Sequence, residues 1–437
     1  MKIKLPKGVG DIINILIEHG YEAYAVGGCV RDSILNIHPE DWDITTSAKP
    51  DEVKRLFRRT VDTGIKHGTV TILYKEDSYE VTTYRIDGEY EDSRHPTSVE
   101  FTSNLSNDLK RRDFTINAMA YNKQDGLVDL YNGMDDLKKG IIRCVGNPAH
   151  RFDEDALRIL RAFRFSAQLD FVIEEESYKA ACLQKENLRN ISAERIRTEL
   201  NKLITSHHPE KLIDLYHAGI TKIILAEFDL MMEAEHYENA RETMGSYAIK
   251  TLQTLDDCDF KSDDRSELIL RWTLLLHELA RTQANNFKLV KSILKRLKFD
   301  NNTIEKVSRL IKWIYAPFEL SPYGVRKAIN KVGIDIIDLL FIVKRTILKT
   351  SDRDYYKEKL KRLNIAHDIY KDVLESGDCI RLSMLKVDGR DLINIGYKPG
   401  KELGSALNML LEIVLKDPRL NEKSTLLAKA KEYLDIN

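Results

Sequence analysis

The sequence contains little cysteine and no CxxC spacing, the pattern that most often marks zinc sites. Its five cysteines are scattered over 437 residues: Cys29, Cys144, Cys182, Cys258 and Cys379. This distribution argues against a zinc centre and for a reducing compartment. The N-terminal segment also lacks an uninterrupted apolar run, because Asp11, Asn14, Glu18 and His19 break it. We therefore expect no secretory signal or membrane anchor, no membrane partner, and a cytoplasmic location.

An excess of charge of either sign is also absent, since 68 basic and 69 acidic residues give a formal net charge of -1. The chain has no overall positive charge that would attract RNA, so an RNA partner would have to bind to local basic patches. Such patches are often only the solvated faces of helices. The candidate stretches rich in Lys and Arg are residues 288–298 and 344–362.

The most informative feature that the sequence does contain is Asp41-Trp42-Asp43, which follows a glycine turn at residues 27–32 (GGCVRD). We expect residues 41–45 to form a strand, and because strand side chains alternate between faces, both aspartates would project from one side. Two such carboxylates suit Mg²⁺, which takes oxygen ligands and leaves positions open for water or substrate phosphates. Asp-x-Asp pairs also occur on solvated surfaces, so the pair alone does not define a metal site.

The glycine turn strengthens the argument for nucleotide chemistry. Gly27 and Gly28 have no side chains, so backbone N–H groups there can approach a polyphosphate closely. Arg31 follows in the same segment and can add a charge-assisted hydrogen bond. A Gly-Gly pair is often no more than a turn, and only the order and spacing of these residues with the aspartates favour a phosphate site.

Two further segments supply charges for such a site. Glu80 lies in a strand-like stretch rich in β-branched and aromatic residues, residues 79–84, and could complete the metal cage from a neighbouring strand. Arg112 lies in a basic run, residues 110–118, that opens directly into apolar sequence. At the edge of a cleft its guanidinium would meet phosphate. Taken singly, Glu80 could be an ordinary exposed strand residue.

Residues 151–164 have the periodicity of a helix. Apolar side chains at helical spacing predict a packed face, whereas Asp155, Arg158 and Arg161 recur every three residues along another side, which we expect to face a ligand. A simpler reading is available for part of this pattern. Glu154 and Arg158 stand four residues apart, and a surface ion pair at that spacing stabilises a helix by only about 0.2–0.5 kcal/mol.

The chemistry of Asp155 and Arg158 predicts a base preference. A carboxylate only accepts hydrogen bonds and a guanidinium only donates them. Asp155 can therefore accept from an exocyclic amine while Arg158 donates to an unprotonated ring nitrogen. Cytosine and adenine present both groups, whereas uracil and guanine present a carbonyl oxygen and an N–H in their place. A pair of this kind selects CTP and ATP.

Seven segments occur in a recognisable order: GGCVRD (27–32), DWDITTSA (41–48), KHGTV (66–70), YEVTTYRIDGEYED (79–92), KRRDFTINAMA (110–120), EDALRILRAFRF (154–165) and ISAERIRTEL (191–200). Together they resemble the class II tRNA nucleotidyltransferases, the bacterial CCA-adding enzymes, and the related poly(A) polymerases. The resemblance covers about the first half of the chain and returns weakly at residues 387–404.

The resemblance implies roles for the residues at the matching positions. Asp41 and Asp43 correspond to the metal-binding carboxylates of the family, with Glu80 as the third acidic residue. Gly28 and Arg31 fall in the glycine motif that holds the triphosphate. These assignments agree with the chemistry of the side chains, and they make all three acids catalytic candidates.

The same comparison by position assigns the remaining candidates to the nucleotide. Arg112 is similar to the nucleotide-contacting arginine of the RRDFT motif. Asp155 and Arg158 match the residues that template the incoming base. Arg161 and Arg164 fall where the family uses further arginines against the nucleotide.

The fold class expected from these patterns is an α+β nucleotidyltransferase head, with a small mixed sheet and helices, followed by an all-α neck, body and tail. We place the head at 1–145, the nucleotide-templating neck at 146–220, the body at 221–320 and a tRNA-binding tail at 321–437. Residues 191–200 resemble an element that supports the templating helix. The strands expected in the head are residues 23–26, 42–45, 69–74, 79–84 and 127–130.

The function implied by the resemblance is addition of C, C and A to the 3′ end of tRNA from CTP and ATP, with release of pyrophosphate. We expect two-metal nucleotidyl transfer, in which Asp41 and Asp43 hold two Mg²⁺ ions. Residues 85–101 have the polar composition of a mobile loop and resemble the flexible loop of full CCA-adding members. They therefore favour addition of all three nucleotides. An A-adding tRNA nucleotidyltransferase and a poly(A) polymerase remain alternatives. A catalytically silent RNA-binding protein is disfavoured, because all three acids are present.

Overall fold

The chain forms two compact units, Met1–Leu230 and Met231–Asn437. The computed structural model describes residues 2–88, 99–237, 239–256, 263–281, 287–351 and 354–436. Among the helices it describes, none combines the length and the apolar character that crossing a membrane requires. The four-part division into head, neck, body and tail stays a prediction, since the contacts define only these two units.

A mixed sheet of seven strands forms the centre of the first unit, in the order β3-β4-β5-β2-β1-β8-β9. The strands of this unit are β1 Ala23–Val26, β2 Asp43–Thr46, β3 Thr60–Gly64, β4 Thr69–Tyr74, β5 Asp77–Thr83, β6 Arg85–Asp87, β7 Val99–Phe101, β8 Met119–Asn122, β9 Gly126–Asp129, β10 Ile141–Ile142 and β11 Val172–Ile173. The α+β head is confirmed. The expected strands are all present to within two residues at each end. Two strands of the large sheet, β3 and β8, and the short strands β6, β7, β10 and β11 have no counterpart among them.

The sheet is mixed because β2 pairs with β5 in parallel, while β1 pairs antiparallel with both β2 and β8. Every residue of β1 is buried, as befits a central strand of small and apolar side chains. Two residues of β1 belong to a buried hydrophobic cluster, which consists of Tyr24, Val26, Tyr84, Leu105, Leu109 and Ala120. The parallel pairing matters most for the site, because it brings together two segments that lie far apart in sequence.

Strand β2 begins later than the sequence pattern predicted. Residues 41–45 were expected to form the strand, but β2 starts at Asp43, and Asp41 and Trp42 precede it. The argument from alternating strand faces therefore does not apply to Asp41, and that part of the prediction is wrong. Pairing with β5 begins at Asp43, and pairing with β1 begins at Ile44.

Helices surround this sheet and make up most of the first unit beyond residue 145. They are α1 Lys7–Glu18, α2 Gly28–Ile34, α3 Pro50–Leu56, α4 Leu105–Lys110, α5 Gly133–Lys139, α6 Pro148–Glu154, α7 Leu157–Leu169, α8 Glu175–Gln184, α9 Ala193–Ile204, α10 Leu212–His217 and α11 Thr221–Ile224, and α12 Ala226–Glu233 follows at the boundary between the units. The expected change from mixed to helical structure near residue 150 is confirmed.

The segment expected to be one helix with Asp155 on its face is two helices. Helix α6 ends at Glu154, Asp155 has the extended backbone angles φ -145° and ψ 101°, and α7 starts at Leu157. The Asp155 carboxylate accepts a hydrogen bond from the Leu157 N–H at 3.1 Å. A short polar side chain that binds a nearby backbone N–H favours a helix start over a helix interior, which explains the break.

Helix α7 is buried on most of its surface, so the expectation of one packed and one free face is too simple. Its buried residues include Arg158 and Arg164 together with the apolar side chains. Arg164 donates from Nε to Glu199 of α9 at 2.8 Å, and both side chains are nearly inaccessible to solvent. Burial lowers the pKa of Arg164 to about 10, although the charge of Glu199 opposes that effect. This buried ion pair joins α7 to α9.

The second unit is almost entirely helical. Its elements are β12 Glu235–His236, β13 Asn239–Thr243, α13 Met244–Asp256, α14 Asp264–Leu276, α15 Phe287–Arg296, α16 Asn301–Trp313, α17 Pro322–Val332, α18 Ile337–Thr350, α19 Asp354–Glu375, α20 Gly389–Asn394, α21 Lys401–Lys416 and α22 Lys423–Ile436. A cluster around Leu392, Leu410 and Leu426 forms a core at its C-terminal end. The expected all-α character of this half is confirmed, apart from one short antiparallel ribbon.

Replacing Glu199 by Ala should destabilise the protein, because it leaves the Arg164 guanidinium buried without its carboxylate. Breaking a buried ion pair in this way costs about 3–5 kcal/mol. Glu194 lies exposed on the same helix, and Glu194→Ala should cost less than about 1 kcal/mol. Urea unfolding of the two variants measures the difference. Equal losses of stability would show that the buried pair has no special role in joining the helices.

Candidate functional site

Asp43 and Glu80 lie directly beside each other across two strands. Asp43 is the first residue of β2, and its register partner on the parallel strand β5 is Glu80. Register partners in a sheet point to the same face, so the two carboxylates share one side. Glu80 therefore lies beside Asp43 on a neighbouring strand, and its role as a metal ligand stays a prediction.

The charges of these acids interact. Asp43 reaches solvent, yet enough protein surrounds it that burial raises its pKa, an effect that Arg112 opposes and Asp41 reinforces. Burial also raises the pKa of Glu80, and the charges of Asp43 and Asp41 add to this. Asp41 thus lies near both, even though it precedes the strand. Like charges held together disfavour one another's ionised forms, and a bound cation relieves that repulsion.

The donor set fits a divalent cation held by few protein ligands. Within the described residues, the carboxylates of Asp41, Asp43 and Glu80 have no salt bridge or side-chain hydrogen bond. No set of three or more His, Cys, Asp or Glu side chains in the described ranges is already arranged around a common point. Mg²⁺ needs no such cage, because it is usually bound through one or two carboxylates plus water and substrate phosphates.

The backbone at Gly27 lies close to the guanidinium of Arg112. Its φ of +84° is a conformation that other residues rarely adopt, and a Cβ at this position would lie 2.9 Å from a terminal nitrogen of Arg112. Gly28, which follows it, begins α2. The glycine turn that the sequence assigned to phosphate binding therefore lies against Arg112.

Arg112 lies between the glycine turn and the acids. Its charge lowers the pKa of Asp43, and one of its terminal nitrogens lies 3.4 Å from a carboxylate oxygen of the buried Asp108. Its Nε is buried with no hydrogen-bond partner among the described atoms. A buried donor atom without a partner is costly unless a ligand completes its hydrogen bonding. The location therefore suits an anion.

Three arginines converge on the ring of Phe165. The guanidinium carbons of Arg31, Arg161 and Arg164 lie 4.9, 5.3 and 3.6 Å from the ring centroid. Phe165 itself is buried and packs edge-on against Phe114. The structure thus brings Arg31 of the glycine motif together with two arginines of α7, as expected if all three serve one anionic ligand.

Protein carboxylates and amides already hold these arginines in place. Arg31 donates to Asp32 and to Asn117, each at 2.8 Å. Arg161 pairs with Asp113 through two nitrogens at 2.8 and 2.6 Å. Burial by itself would raise the pKa of the Asp113 carboxyl, but Arg161 and Asn117 hold that pKa well below its usual range. The arginines are therefore oriented before any ligand arrives.

Asp155 and Arg158 lie on either side of the break between α6 and α7, and both have protein partners. Asp155 Oδ2 accepts from Arg195 of α9 at 2.7 Å. Arg158 donates to Glu154 and, at 3.0 Å, to the backbone carbonyl oxygens of Arg151 and Arg111. The simple ion pair between Glu154 and Arg158 is therefore formed. An incoming base would share or displace some of these contacts.

Arg195 is a contact that the sequence argument missed. Residues 191–200 were interpreted as support for the templating helix, yet Arg195 binds Asp155 directly, and its second terminal nitrogen is buried without a partner in the described structure. Arg195 and Glu199 are four residues apart on α9, so the sequence did indicate a shared face. It did not indicate which residues that face contacts.

The loop expected at residues 85–101 is described only at its base. Arg85–Asp87 and Val99–Phe101 pair as an antiparallel ribbon, and residues 89–98 between them lie outside the described residues. The cysteines that the structure describes are not in disulfides. Cys258 lies outside the described ranges.

Three family models match successive parts of the chain. The model described as Poly A polymerase head domain matches residues 23–143. The model for the "Probable RNA and SrmB-binding site of polymerase A" matches residues 170–232. The model for tRNA nucleotidyltransferase domain 2 matches residues 265–430. Together these matches extend over both units.

Curated relatives share the full length of the chain. A protein of Lactobacillus helveticus named CCA-adding enzyme is 37% identical over 97% of this chain and 96% of its own length. One of Enterococcus faecalis with the same name is 34% identical over 98% of this chain and 96% of its own. Among solved structures, the Bacillus stearothermophilus CCA-adding enzyme in complex with CTP is 29% identical, with a TM-score of 0.77 and 98% of each chain covered. The Thermotoga maritima CCA-adding enzyme complexed with tRNA is 22% identical with a TM-score of 0.60, a likeness of fold.

Proposed function

We propose, on the premise that this chain belongs to the CCA-adding enzymes, that it adds C, C and A to the 3′ end of tRNA, using CTP and ATP and releasing pyrophosphate. Family membership rests on relatives that are 34–37% identical over nearly the whole chain. That full-length identity is the observation that carries the function. The described site supports it, because uncompensated carboxylates and oriented arginines are the groups that nucleotidyl transfer requires.

The carboxylates would hold the metal. Transfer in this family uses a divalent cation, and we assign Mg²⁺ to Asp41 and Asp43, with Glu80 beside them. Mg²⁺ bound there would lower the pKa of the tRNA 3′-hydroxyl and neutralise charge on the triphosphate. The protein then contributes position and charge. A cation bound there would relieve the repulsion among these acids, which adds to the effect of burial on the pKa values of Asp43 and Glu80.

The glycine turn and the arginines would hold the triphosphate. Gly27 and Gly28 let the backbone approach phosphate oxygens, and the unused donor of Arg112 lies beside them. Arg31, held by Asp32 and Asn117, is oriented in advance. Because the protein has already fixed these cations, little is lost in ordering them when substrate binds.

Base choice would rest on Asp155 and Arg158, with Arg161 and Arg164 behind them against the nucleotide. An Asp155 oxygen that binds Arg195 can still accept a second hydrogen bond, since each carboxylate oxygen has more than one acceptor direction. Arg195 would then fix the direction of that acceptor toward an amine of cytosine or adenine. The arrangement explains how a helix break, rather than a helix face, can present the carboxylate.

End-sequencing of the products separates full CCA addition from its rivals. With a tRNA lacking its terminal CCA, we expect two C residues with CTP alone and a complete CCA end with both nucleotides. No full end should form with ATP alone. An A-adding enzyme would leave this tRNA unextended in CTP and extend only tRNA ending in CC, and a poly(A) polymerase would add runs of A. Either pattern would overturn the proposal.

Replacing Asp43 by Ala should reduce nucleotide transfer by at least about 100-fold, because the cation loses a ligand where charge develops. Affinity for tRNA should change little. Single-turnover extension and filter binding measure the two effects, and Asp41→Ala should behave in the same way. Asp51→Ala, at an exposed position on α3, is the matched control. Transfer at the wild-type rate by Asp43→Ala would place the metal site elsewhere.

Replacing Asp155 by Asn should lower the preference for CTP over UTP by about 10- to 100-fold, since the amide can donate to a carbonyl that the carboxylate repels. Arg195→Ala should weaken selection as well, because Asp155 loses the group that orients it. The ratio of kcat/KM for CTP and UTP measures both. Arg195→Lys should restore part of the selection, and the exposed Arg189→Ala should not alter it. An unchanged ratio in Asp155→Asn would refute the templating role.

A further inference from the structure

The second unit contains a cavity that the proposed reaction does not use. Its volume is about 260 Å³, and its wall is formed by Arg281, the segment 314–320 after α16, and the facing sides of α18 and α19. This volume lies just below the range of about 300–1,000 Å³ typical of sites for drug-sized ligands. It therefore admits a flat ring with one attached group rather than an extended ligand.

Aromatic and aliphatic side chains form the body of the cavity. Tyr315, Phe318 and Tyr356 contribute rings, and Ile347 and Leu363 contribute aliphatic surface. The ring of Phe318 is stacked on that of the buried Phe341, with centroids 4.7 Å apart and planes 7° apart. The Phe318 ring is thus held in a fixed plane, which is the property that a stacking surface needs.

Each of the three rings has a basic side chain over its face, and burial lowers the pKa of one of these, Lys344, to about 7. Arg281 lies 4.7 Å from the Tyr315 centroid, Lys344 lies 5.4 Å from that of Phe318, and Lys359 lies 5.4 Å from that of Tyr356. Arg362 is a fourth basic side chain in the wall. Among the described residues that line the cavity there is no Asp or Glu. The site is therefore apolar in its body and positive at its wall.

Hydrogen bonds hold Lys344 and Tyr315 in place. Lys344 donates from Nζ to the carbonyl oxygens of Ile314 and Ala316, at 2.6 and 2.7 Å, and so holds the segment that carries the aromatic rings. The Tyr315 hydroxyl donates to the buried Glu278 at 3.1 Å, and Arg281 lies 3.6 Å from the same carboxylate. Glu278 offsets part of the charge of Arg281. Lys359 and Arg362, both exposed on α19, are the cations best placed to meet an anion at the mouth.

We propose that this cavity binds one unpaired nucleotide of the RNA substrate, with the base against the aromatic wall and its phosphate at Lys359 and Arg362. Every base has a π-face, so stacking on aromatic side chains tolerates any sequence, and the cations add to it. One phosphate suits the two exposed cations, whereas a free triphosphate would bring more negative charge than the wall compensates. The proposal rests on the proposed function only in taking tRNA as the RNA.

The charge of the site is tested by reversing it at one lining residue and at one neighbour. Lys361 is exposed on α19 between Lys359 and Arg362 but does not line the cavity. Arg362→Glu and Lys361→Glu therefore change the overall charge equally. We expect the Kd of the full-length protein for tRNA, at fixed salt, to rise by about 10-fold more in Arg362→Glu than in Lys361→Glu. If the Kd for tRNA rose equally in both variants, the effect would come from overall charge and not from the cavity, and the proposal would be overturned.

The base contact is tested by chemical probing of the bound tRNA. One unpaired base should be protected in the wild-type complex and exposed again in Phe318→Leu, which removes the stacking ring but keeps an apolar side chain. Thermal unfolding identifies a variant that has lost its fold, and Arg362→Glu, which alters only an exposed position, should expose the same base. Protection that is absent from the wild type, or unchanged in both variants, would overturn the proposal.

Two further measurements separate this site from the rest of the enzyme. At saturating tRNA, Arg362→Glu should keep the wild-type kcat for CTP addition while KM for tRNA rises, so failure of the proposed reaction and failure of this site give different results. Calorimetry with CMP tests the free nucleotide as ligand. Saturable binding of CMP that Arg362→Glu abolishes, with unchanged affinity for tRNA, would assign the cavity to a small molecule instead and overturn the proposal.

Discussion

The parallel pairing of β2 with β5 is the constraint on which the rest of the site depends. It sets Asp43 beside Glu80 on one face of the sheet, and Asp41 lies near enough to raise the pKa of both. Three acids held close together are unfavourable in isolation, and the charge of Arg112 offsets only part of their repulsion at Asp43. In the proposed function, a metal and a substrate complete the charge balance of this acidic group.

The arginines differ from the acids, because protein groups already form hydrogen bonds or ion pairs with most of them before a nucleotide binds. Asp32, Asp113 and Glu199 each hold one arginine of the group around Phe165. Such pairs contribute to orientation more than to stability, because the cost of desolvating two charges offsets much of their attraction. The arginines around Phe165 therefore have a fixed geometry, whereas the carboxylates of Asp41, Asp43 and Glu80 have no salt-bridge partner among the described residues. Transfer of a nucleotidyl group needs both, one for the metal and the other for the phosphates.

The second unit contains the cavity that we propose as an RNA contact. Its cavity combines stacked rings with cations over their faces, and the described lining contains no acid. A chain with a net charge of -1 has no general attraction for RNA, so local surfaces of this kind have to supply it. The candidate stretch at residues 344–362 contains three of the four cations of this wall, which gives one of the basic runs a definite structural location.

The sequence alone determined the types of element, the family resemblance and the identity of nearly every candidate side chain, because hydrophobic period and residue chemistry are local properties. It placed β1 and β4 to the residue, and it identified Asp43, Glu80 and Arg112. It did not determine that β2 starts only at Asp43, that a helix break falls at Asp155, or that Arg195 binds that carboxylate from 40 residues away. Those facts depend on strand pairing and helix packing between distant segments. Competition among such non-local contacts decides where an element ends and which partner a charge obtains, and only the tertiary structure resolves it.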